Sequence, residues 1–288
     1  MTASARVSDV EHGFVDVGGI RTSCYAAGDP TATPVLLLHD GAWGADAMLS
    51  WGDVISDLAA DHRVVAPDLP GFGQTDKVVM FGRSPYEHRL RHIAGLLEQL
   101  DLNGPAHVVG TSFGGSLALR AALGSAWPMA SATSVAGTGG PWRVDLAKQL
   151  LADLEPGRNY IARVVEVLTN TTSGLDDHID RRYENSLIPG HYAAMVSPRL
   201  KHPDAAPTAV HDDYPARLAD ATVPISVITT RQDQLVEPDW PRHVQAVAPN
   251  VAFHQMEGPH SPNITHPNEV AAALRVIFSD ARGANSEV

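Results

Sequence analysis

Gly110-Thr111-Ser112-Phe113-Gly114 sets a serine between two glycines, each two residues away. A serine hydroxyl is a weak nucleophile that becomes effective only beside a base, and the base must itself be oriented by a third group. Composition alone does not make the element specific: 24 glycines and 18 serines in 288 positions yield about 0.12 matches by chance. Its placement does. The apolar run Ala106–Val109 precedes it and the Ala/Leu-rich run Phe113–Leu123 follows, so the serine falls at a sharp strand-to-helix turn. Such a turn strains the serine backbone and lifts its oxygen above the sheet edge. Gly110 and Gly114 avoid clashes across the turn, and the helix N-terminus behind the serine favours negative charge. The competing reading is a glycine-rich helix cap beside a strand.

Where strands and helices alternate around such a turn, the chain order is serine, then carboxylate, then histidine. Asp233 follows the apolar run Pro224–Thr229, in Thr230-Arg231-Gln232-Asp233-Gln234-Leu235-Val236. His260 follows Val251–Met256, in Glu257-Gly258-Pro259-His260-Ser261-Pro262. Both stand where a strand's carboxyl end opens into a loop, the place where sites gather in parallel sheets. A solvated loop acid and an ordinary loop histidine are the plain alternatives, and His266 is the second choice of base. Attack on a carbonyl leaves an oxyanion that needs two backbone N–H donors. Phe113, directly after the serine, supplies one. Gly41 supplies the other, from the loop His39-Asp40-Gly41-Ala42-Trp43-Gly44, with Ala42 as its neighbour.

The elements that must position these residues are legible in the hydrophobic pattern. Phe14–Val17, Gly18-Gly19 and Ile20–Ala26 read as a hairpin. Pro34–Leu38, Arg63–Ala66, Ala106–Val109 and Ala132–Ala136 are short apolar runs, as expected of strands buried on both faces of a parallel sheet. Helical spacing separates them at Ala45–Leu58, Tyr86–Leu100 and Phe113–Leu123. The alternation stops after Gly137, through a helix-prone stretch whose most apolar piece is Arg163–Leu168 and whose later part carries prolines at 189, 198, 203, 207 and 215. It resumes with Pro224–Thr229, Trp240–Val247, Val251–Met256 and Pro267–Phe278. The expectation is an α/β fold: a mostly parallel central sheet with helices on both faces. Residues 1–137 and 217–288 form its core, and 138–216 form a helical lid inserted between strands.

Charge and composition narrow the function. Thirty-three carboxylates against 21 Lys and Arg give a net charge of −12, which repels phosphate backbones and anionic lipid, so neither nucleic acid nor membrane is expected as a partner. The longest aliphatic run, Val35–Leu38, is far too short to span a bilayer. Met1–Val10 shows no signal-peptide pattern, and the single cysteine, Cys24, fits a reducing cytoplasm. No phosphate-binding glycine loop or dinucleotide fingerprint is present, so no cofactor is implied. His88 and His92 share a helical face but lack a third ligand, and they read as a solvated face rather than a metal site. Trp142, Tyr160, Tyr183, Tyr192 and Met195 suit either an apolar pocket under the lid or the lid's own core. A small molecule is the expected partner, with a homo-oligomer left open.

With these motifs in place, the chain resembles the α/β-hydrolases over nearly its whole length. Pro67-Asp68-Leu69-Pro70-Gly71-Phe72-Gly73-Gln74-Thr75-Asp76 adds to the likeness. More narrowly it resembles the meta-cleavage-product hydrolases, which split carbon–carbon bonds in vinylogous 1,5-diketone acids. The small-residue loop after His39, Gly73-Gln74-Thr75-Asp76 and Arg181-Arg182-Tyr183-Glu184 carry that likeness. The resemblance implies that Arg182 reaches from the lid to a substrate carboxylate. It also marks Thr111 and Ser50 as substrate-binding positions, each standing where that family often has Asn, and Ser261 stands where it often has Trp. The expected activity is cofactor-free serine-type hydrolysis of a mostly apolar, carboxylate-bearing substrate, with Ser112, Asp233 and His260 as the triad. A carboxylesterase is the nearest alternative. A cofactor-independent oxygenase and a non-catalytic small-molecule receptor on the same fold are the others.

Overall fold

The computed structural model describes residues 10–80, 84–124, 127–152, 157–197 and 214–286. Strands β1 (Glu11–Val17) and β2 (Ile20–Ala27) form the hairpin. Gly18 and Gly19 turn it with φ of 61° and 84°, the left-handed angles that a two-residue hairpin turn demands. β2 runs antiparallel to β4 (Arg63–Pro67). From β4 onward every pairing is parallel, through β3 (Pro34–Leu38), β5 (Ala106–Thr111), β6 (Met129–Val135), β7 (Ile225–Thr230) and β8 (Val251–Met256). The spatial order is β1-β2-β4-β3-β5-β6-β7-β8.

Period-two alternation along a fully buried strand splits the core between the two faces of the sheet. Val35 and Leu37 join Trp51, Ile55 and Leu58 of α1 (Ala47–Leu58) and Leu274 and Phe278 of the C-terminal helix. Leu36 and Leu38 join Ile93 and Leu96 of α2 (Pro85–Gln99) and Leu117 of α3 (Phe113–Ala121). His92 of α2 is buried rather than solvated: its Nε2 lies 2.9 Å from Thr22 Oγ1, and burial pushes its pKa down to about 4.

Among the described residues, four α-helices stand between β6 and β7, α4 (Asp145–Ala152), α5 (Arg158–Thr169), α6 (Asp176–Leu187) and α7 (His191–Val196), followed by a short 3-10 helix at Ala216–Asp220. Ile161, Val164 and Leu168 of α5 and Ile179 of α6 pack together and against Ala42 and Trp43 of the loop after β3. Tyr160 belongs to this small core, with Tyr183 packed against it. Pro198, Pro203 and Pro207 lie outside the described residues. After β7 come α8 (Trp240–Val247), then α9 (Pro262–Thr265) and α10 (Pro267–Ser286), which runs well past the Phe278 end of its apolar pattern. Among the described residues no helix is long and apolar enough to cross a membrane.

The chain leaves β3 for β4 on one side and returns to β5 on the other. Loops at such a reversal part from each other and open a crevice at the carboxyl ends of the strands. The loop after β3 and the turn after β5 meet there.

Candidate active site

Ser112 joins β5 to α3 with φ 52° and ψ −113°, a conformation that a non-glycine residue holds at a cost of about 1–3 kcal/mol. The neighbours explain why the turn tolerates no bulk. A Cβ on Gly110 would lie 2.1 Å from the backbone of Gly114, and one on Gly114 would lie 2.2 Å from the Leu38 carbonyl oxygen. Ser112 N–H donates to the Val135 carbonyl at 2.8 Å, fixing the turn to β6.

The structure brings three distant side chains into one hydrogen-bonded row. His260 Nε2 is 2.9 Å from Ser112 Oγ, and His260 Nδ1 is 2.8 Å from Asp233 Oδ2. Asp233 Oδ1 accepts the Leu235 N–H at 2.8 Å, which orients the carboxylate. The His260 loop hangs on the insertion, with Ser261 N–H donating to the Leu168 carbonyl at 2.8 Å. Burial opposes protonation of His260. The charge and hydrogen bond of Asp233, helped by Asp40, outweigh it, and the imidazole pKa stands above its ordinary value. His266 does not compete, because its Nδ1 pairs with Thr265 Oγ1 at 2.8 Å.

Ser112 and His260 open on a cavity of about 390 Å³ that Gly41 and Phe113 also line. A Cβ on Gly41 would come within 2.8 Å of Phe113 Cβ, so the two loops touch. Ala42 N–H is taken by Asp40 Oδ1 at 2.8 Å. Met195 reaches the cavity, whereas Trp142, Tyr160, Tyr183 and Tyr192 do not line it.

Arg182, Ser50 and Thr111, expected at the substrate, stand behind the cavity wall instead. Arg182 is fully buried, with Nη1 at 3.3 Å from Asp40 Oδ1 and Nη2 at 2.9 Å from Asp40 Oδ2. Ser50 Oγ donates to Asp40 Oδ2 at 2.9 Å. Asn263 Nδ2 donates to the Ser50 carbonyl at 2.6 Å, and Thr111 Oγ1 donates to Asn263 Oδ1 at 3.0 Å. The physical reason is Asp40. A carboxylate buried in this loop needs a cation and donors, which Arg182 and Ser50 supply, while Thr111 is tied to Ser50 through Asn263. Its own acidity shows the result: burial alone would raise the pKa, but the Arg182 charge and hydrogen bonds hold it well below the usual carboxylate range.

Sequence reasoning passed over Asp40, Asn263 and a second arginine, Arg89. Asp40 carried a signal, as the one carboxylate in a stretch from Val35 to Ala45 that is apolar or small apart from it and His39. Arg89 carried one too. It lies one turn before Ile93, on the stripe that faces the core. Asn263 carried none.

A G-x-S-x-G turn after the fifth strand of a mostly parallel sheet, with carboxylate and histidine loops at the same edge, defines a class. The chain belongs to the alpha/beta hydrolase family, whose sequence profile matches residues 35–273. Within it, the relatives of this chain are meta-cleavage-product hydrolases. The 2-hydroxy-6-oxononadienedioate/2-hydroxy-6-oxononatrienedioate hydrolase of Cupriavidus pinatubonensis is 31% identical over 77% of this chain and 78% of its own. The 2-hydroxy-6-oxo-6-(2'-aminophenyl)hexa-2,4-dienoic acid hydrolase of Metapseudomonas resinovorans is 32% identical over 59% of this chain, a match that spans 58% of that relative's length. In three dimensions, the 2-hydroxy-6-oxo-6-phenylhexa-2,4-dienoate hydrolase of Rhodococcus sp. strain RHA1 superposes with a TM-score of 0.78. It is 22% identical, over 94% of this chain and 99% of the other, a likeness of fold.

Proposed function

We propose that the protein is a serine-type hydrolase that cleaves a carbon–carbon bond in a meta-cleavage-product acid. One observation carries the reading: Ser112, His260 and Asp233 form a hydrogen-bonded row, at 2.9 and 2.8 Å, on the wall of a cavity large enough for a small organic acid. His260 Nε2 takes the Ser112 proton as the oxygen attacks the ketone carbon. Asp233 holds the imidazole in the tautomer that allows this and stabilises the imidazolium. The N–H groups of Gly41 and Phe113 receive the oxyanion. As the carbon–carbon bond breaks, its electron pair leaves with the dienoate fragment, and the proton that His260 took from Ser112 passes to that carbon, which returns the imidazole to its basic form. The acyl group on Ser112 then yields to water activated by His260. Residues 138–216 act as the lid. Relatives named as hydrolases of 2-hydroxy-6-oxo acids support this substrate class.

A carboxylesterase is the second reading, and one observation favours it. Arg182, the residue that the family resemblance assigns to a substrate carboxylate, is committed to Asp40. The test is turnover of a yellow 2-hydroxy-6-oxo-dienoate and of a panel of neutral aryl esters by the purified protein. Bleaching of the dienoate at a kcat/KM above that of every ester supports the carbon–carbon hydrolase. Turnover of esters alone replaces it with the esterase. No turnover of either, with tight binding of the acid, leaves a receptor.

A further inference from the structure

Asn263 stands behind the cavity wall, three positions after His260. Ser112, His260 and Arg89 line the cavity; Asn263 does not, and it is only 3% exposed to solvent. The partners of its amide fix which way it points. The Ser50 carbonyl can only accept, so Nδ2 must face it, at 2.6 Å. That turns Oδ1 toward Thr111, whose Oγ1 donates to it at 3.0 Å. Thr111 and Ser50 are buried as well, so the whole bridge lies in a medium where water does not compete for its hydrogen bonds.

The bridge ties the nucleophile to its base by a route that passes through neither reacting group. Thr111 ends β5 and directly precedes Ser112. Asn263 sits in α9, the four-residue helix that follows the His260 loop. That segment is tightly folded, with Ser261 N–H donating to the Leu168 carbonyl at 2.8 Å and His266 N–H to the Pro262 carbonyl at 2.6 Å. Asp233 orients the imidazole from the β7 side, at 2.8 Å, but β7 is not the strand that carries the serine. A ring held only by Asp233 can drift with its loop relative to β5, and a misplacement of about 1 Å is enough to cost about 10²-fold in rate. Ser50 extends the bridge further, because its Oγ donates to Asp40 Oδ2 at 2.9 Å in the segment that carries Gly41.

We propose that Asn263 is a positioning residue, whose amide sets the spacing between Ser112 Oγ and His260 Nε2 by locking Thr111 to the segment that bears the base. The assignment rests on the serine-hydrolase reading for the purpose of that spacing, but one arm of its test needs no turnover. Asn263 and Thr111 act through Ser112 and His260 and stand outside the cavity lining. Breaking the bridge therefore slows the chemical step and leaves substrate binding in place.

The experiment compares the full-length wild type with Asn263→Ala, Thr111→Val and Thr111→Ser in turnover of p-nitrophenyl benzoate. Ser112 attacks this neutral ester whether the natural bond is carbon–carbon or carbon–oxygen. Valine keeps the shape of threonine and lacks its donor. Thr111→Val and Asn263→Ala are each expected to lower kcat about 10- to 100-fold, with KM changed by less than about twofold. Combined, the two losses should not add, because both break the same bond. Thr111→Ser keeps the hydroxyl and is expected to recover most of the rate. A Thr111→Ser protein as slow as Thr111→Val, or a loss expressed in KM alone, overturns the assignment. Should Asn263→Ala not fold, Thr111→Val carries the test. Crystal structures supply the arm without turnover. In Thr111→Val the separation of Ser112 Oγ and His260 Nε2 is expected to open beyond about 3.5 Å, and a separation unchanged from 2.9 Å overturns the assignment. Failure of the hydrolase reading would appear as a wild type without turnover, with that separation still dependent on the bridge.

Discussion

Arg182 Nη2 stands 2.9 Å from Asp40 Oδ2, and both side chains are sealed from solvent. The pair joins α6 of the insertion to the loop that carries Gly41 to the cavity wall. Asp40 also accepts from Ala42 N–H and Ser50 Oγ, so a single carboxylate sets the course of that loop.

Removing one partner of a buried pair strands the other charge, which typically costs about 3–5 kcal/mol. Arg182→Gln is therefore expected to lower stability by about that amount in a urea titration. It is also expected to lower turnover of a carboxylate substrate and of a neutral ester to the same degree, because the damage is to the loop. A selective loss on the acid alone would return Arg182 to substrate recognition.

Ser112→Ala should fold normally and lose at least about 10³-fold in kcat, the scale for a triad member. Ser112→Gly offers a second readout, since glycine adopts a φ of 52° without strain. Glycine usually costs about 0.5–1 kcal/mol relative to alanine. Here Ser112→Gly should be at least as stable as Ser112→Ala, as thermal unfolding would report. A clearly less stable glycine variant would mean that the turn stores no strain.

The raised pKa of His260 sets the acid side of the pH profile. A protonated imidazole cannot take the serine proton, so kcat/KM should fall as pH drops through a value above the ordinary 6.5 of histidine. Asp233→Asn removes the charge that opposes burial. It should shift this limb to lower pH and lower kcat by about 10⁴-fold through the wrong tautomer. The stability linkage has the opposite sense. A raised histidine pKa favours the folded state fully below the unfolded value, and that contribution is lost as pH rises through the folded pKa. An acid limb unmoved by Asp233→Asn would separate Asp233 from His260.

Gly41→Ala would place a methyl group 2.8 Å from Phe113 Cβ and force the two loops apart. The expected loss is about 10²–10³-fold in kcat with little change in KM, as for removal of one oxyanion donor. A rise in KM with kcat preserved would place the oxyanion donors elsewhere.

The row of Ser112, Asp233 and His260 was legible in the sequence for a topological reason. In a parallel sheet every strand ends at the same edge, so residues that follow three strands meet there whatever their separation. The hairpin at Gly18-Gly19 and the two-faced burial of Pro34–Leu38 were legible for local reasons, a turn dipeptide and an apolar run. Arg182 was not. Its partner Asp40 lies 142 positions away, and no periodicity or spacing encodes that pairing. His92 was misread as solvated because a histidine on a helix face gives no sign of the strand residue, Thr22, that covers it. Arg89 lay in plain view on the apolar stripe of α2, where a charge has to be explained by something that the helix alone does not contain.

The insertion and the core are stitched together along one edge. Asn185 Nδ2 donates to the Gly44 carbonyl at 3.1 Å, and Gly44 N–H donates to His191 Nε2 at 3.2 Å. His191 Nδ1 meets the Gly71 carbonyl at 2.9 Å, and a Cβ on Gly44 would strike the Arg182 carbonyl oxygen at 1.8 Å. The unit of exchange in a chimera is therefore not the insertion alone. A transplanted α6–α7 segment has to travel with the stretch from His39 to Asp46, or it arrives with an orphaned guanidinium and a seam that does not close. Diversity in this scaffold must be recombined as matched pairs of segments far apart in the gene.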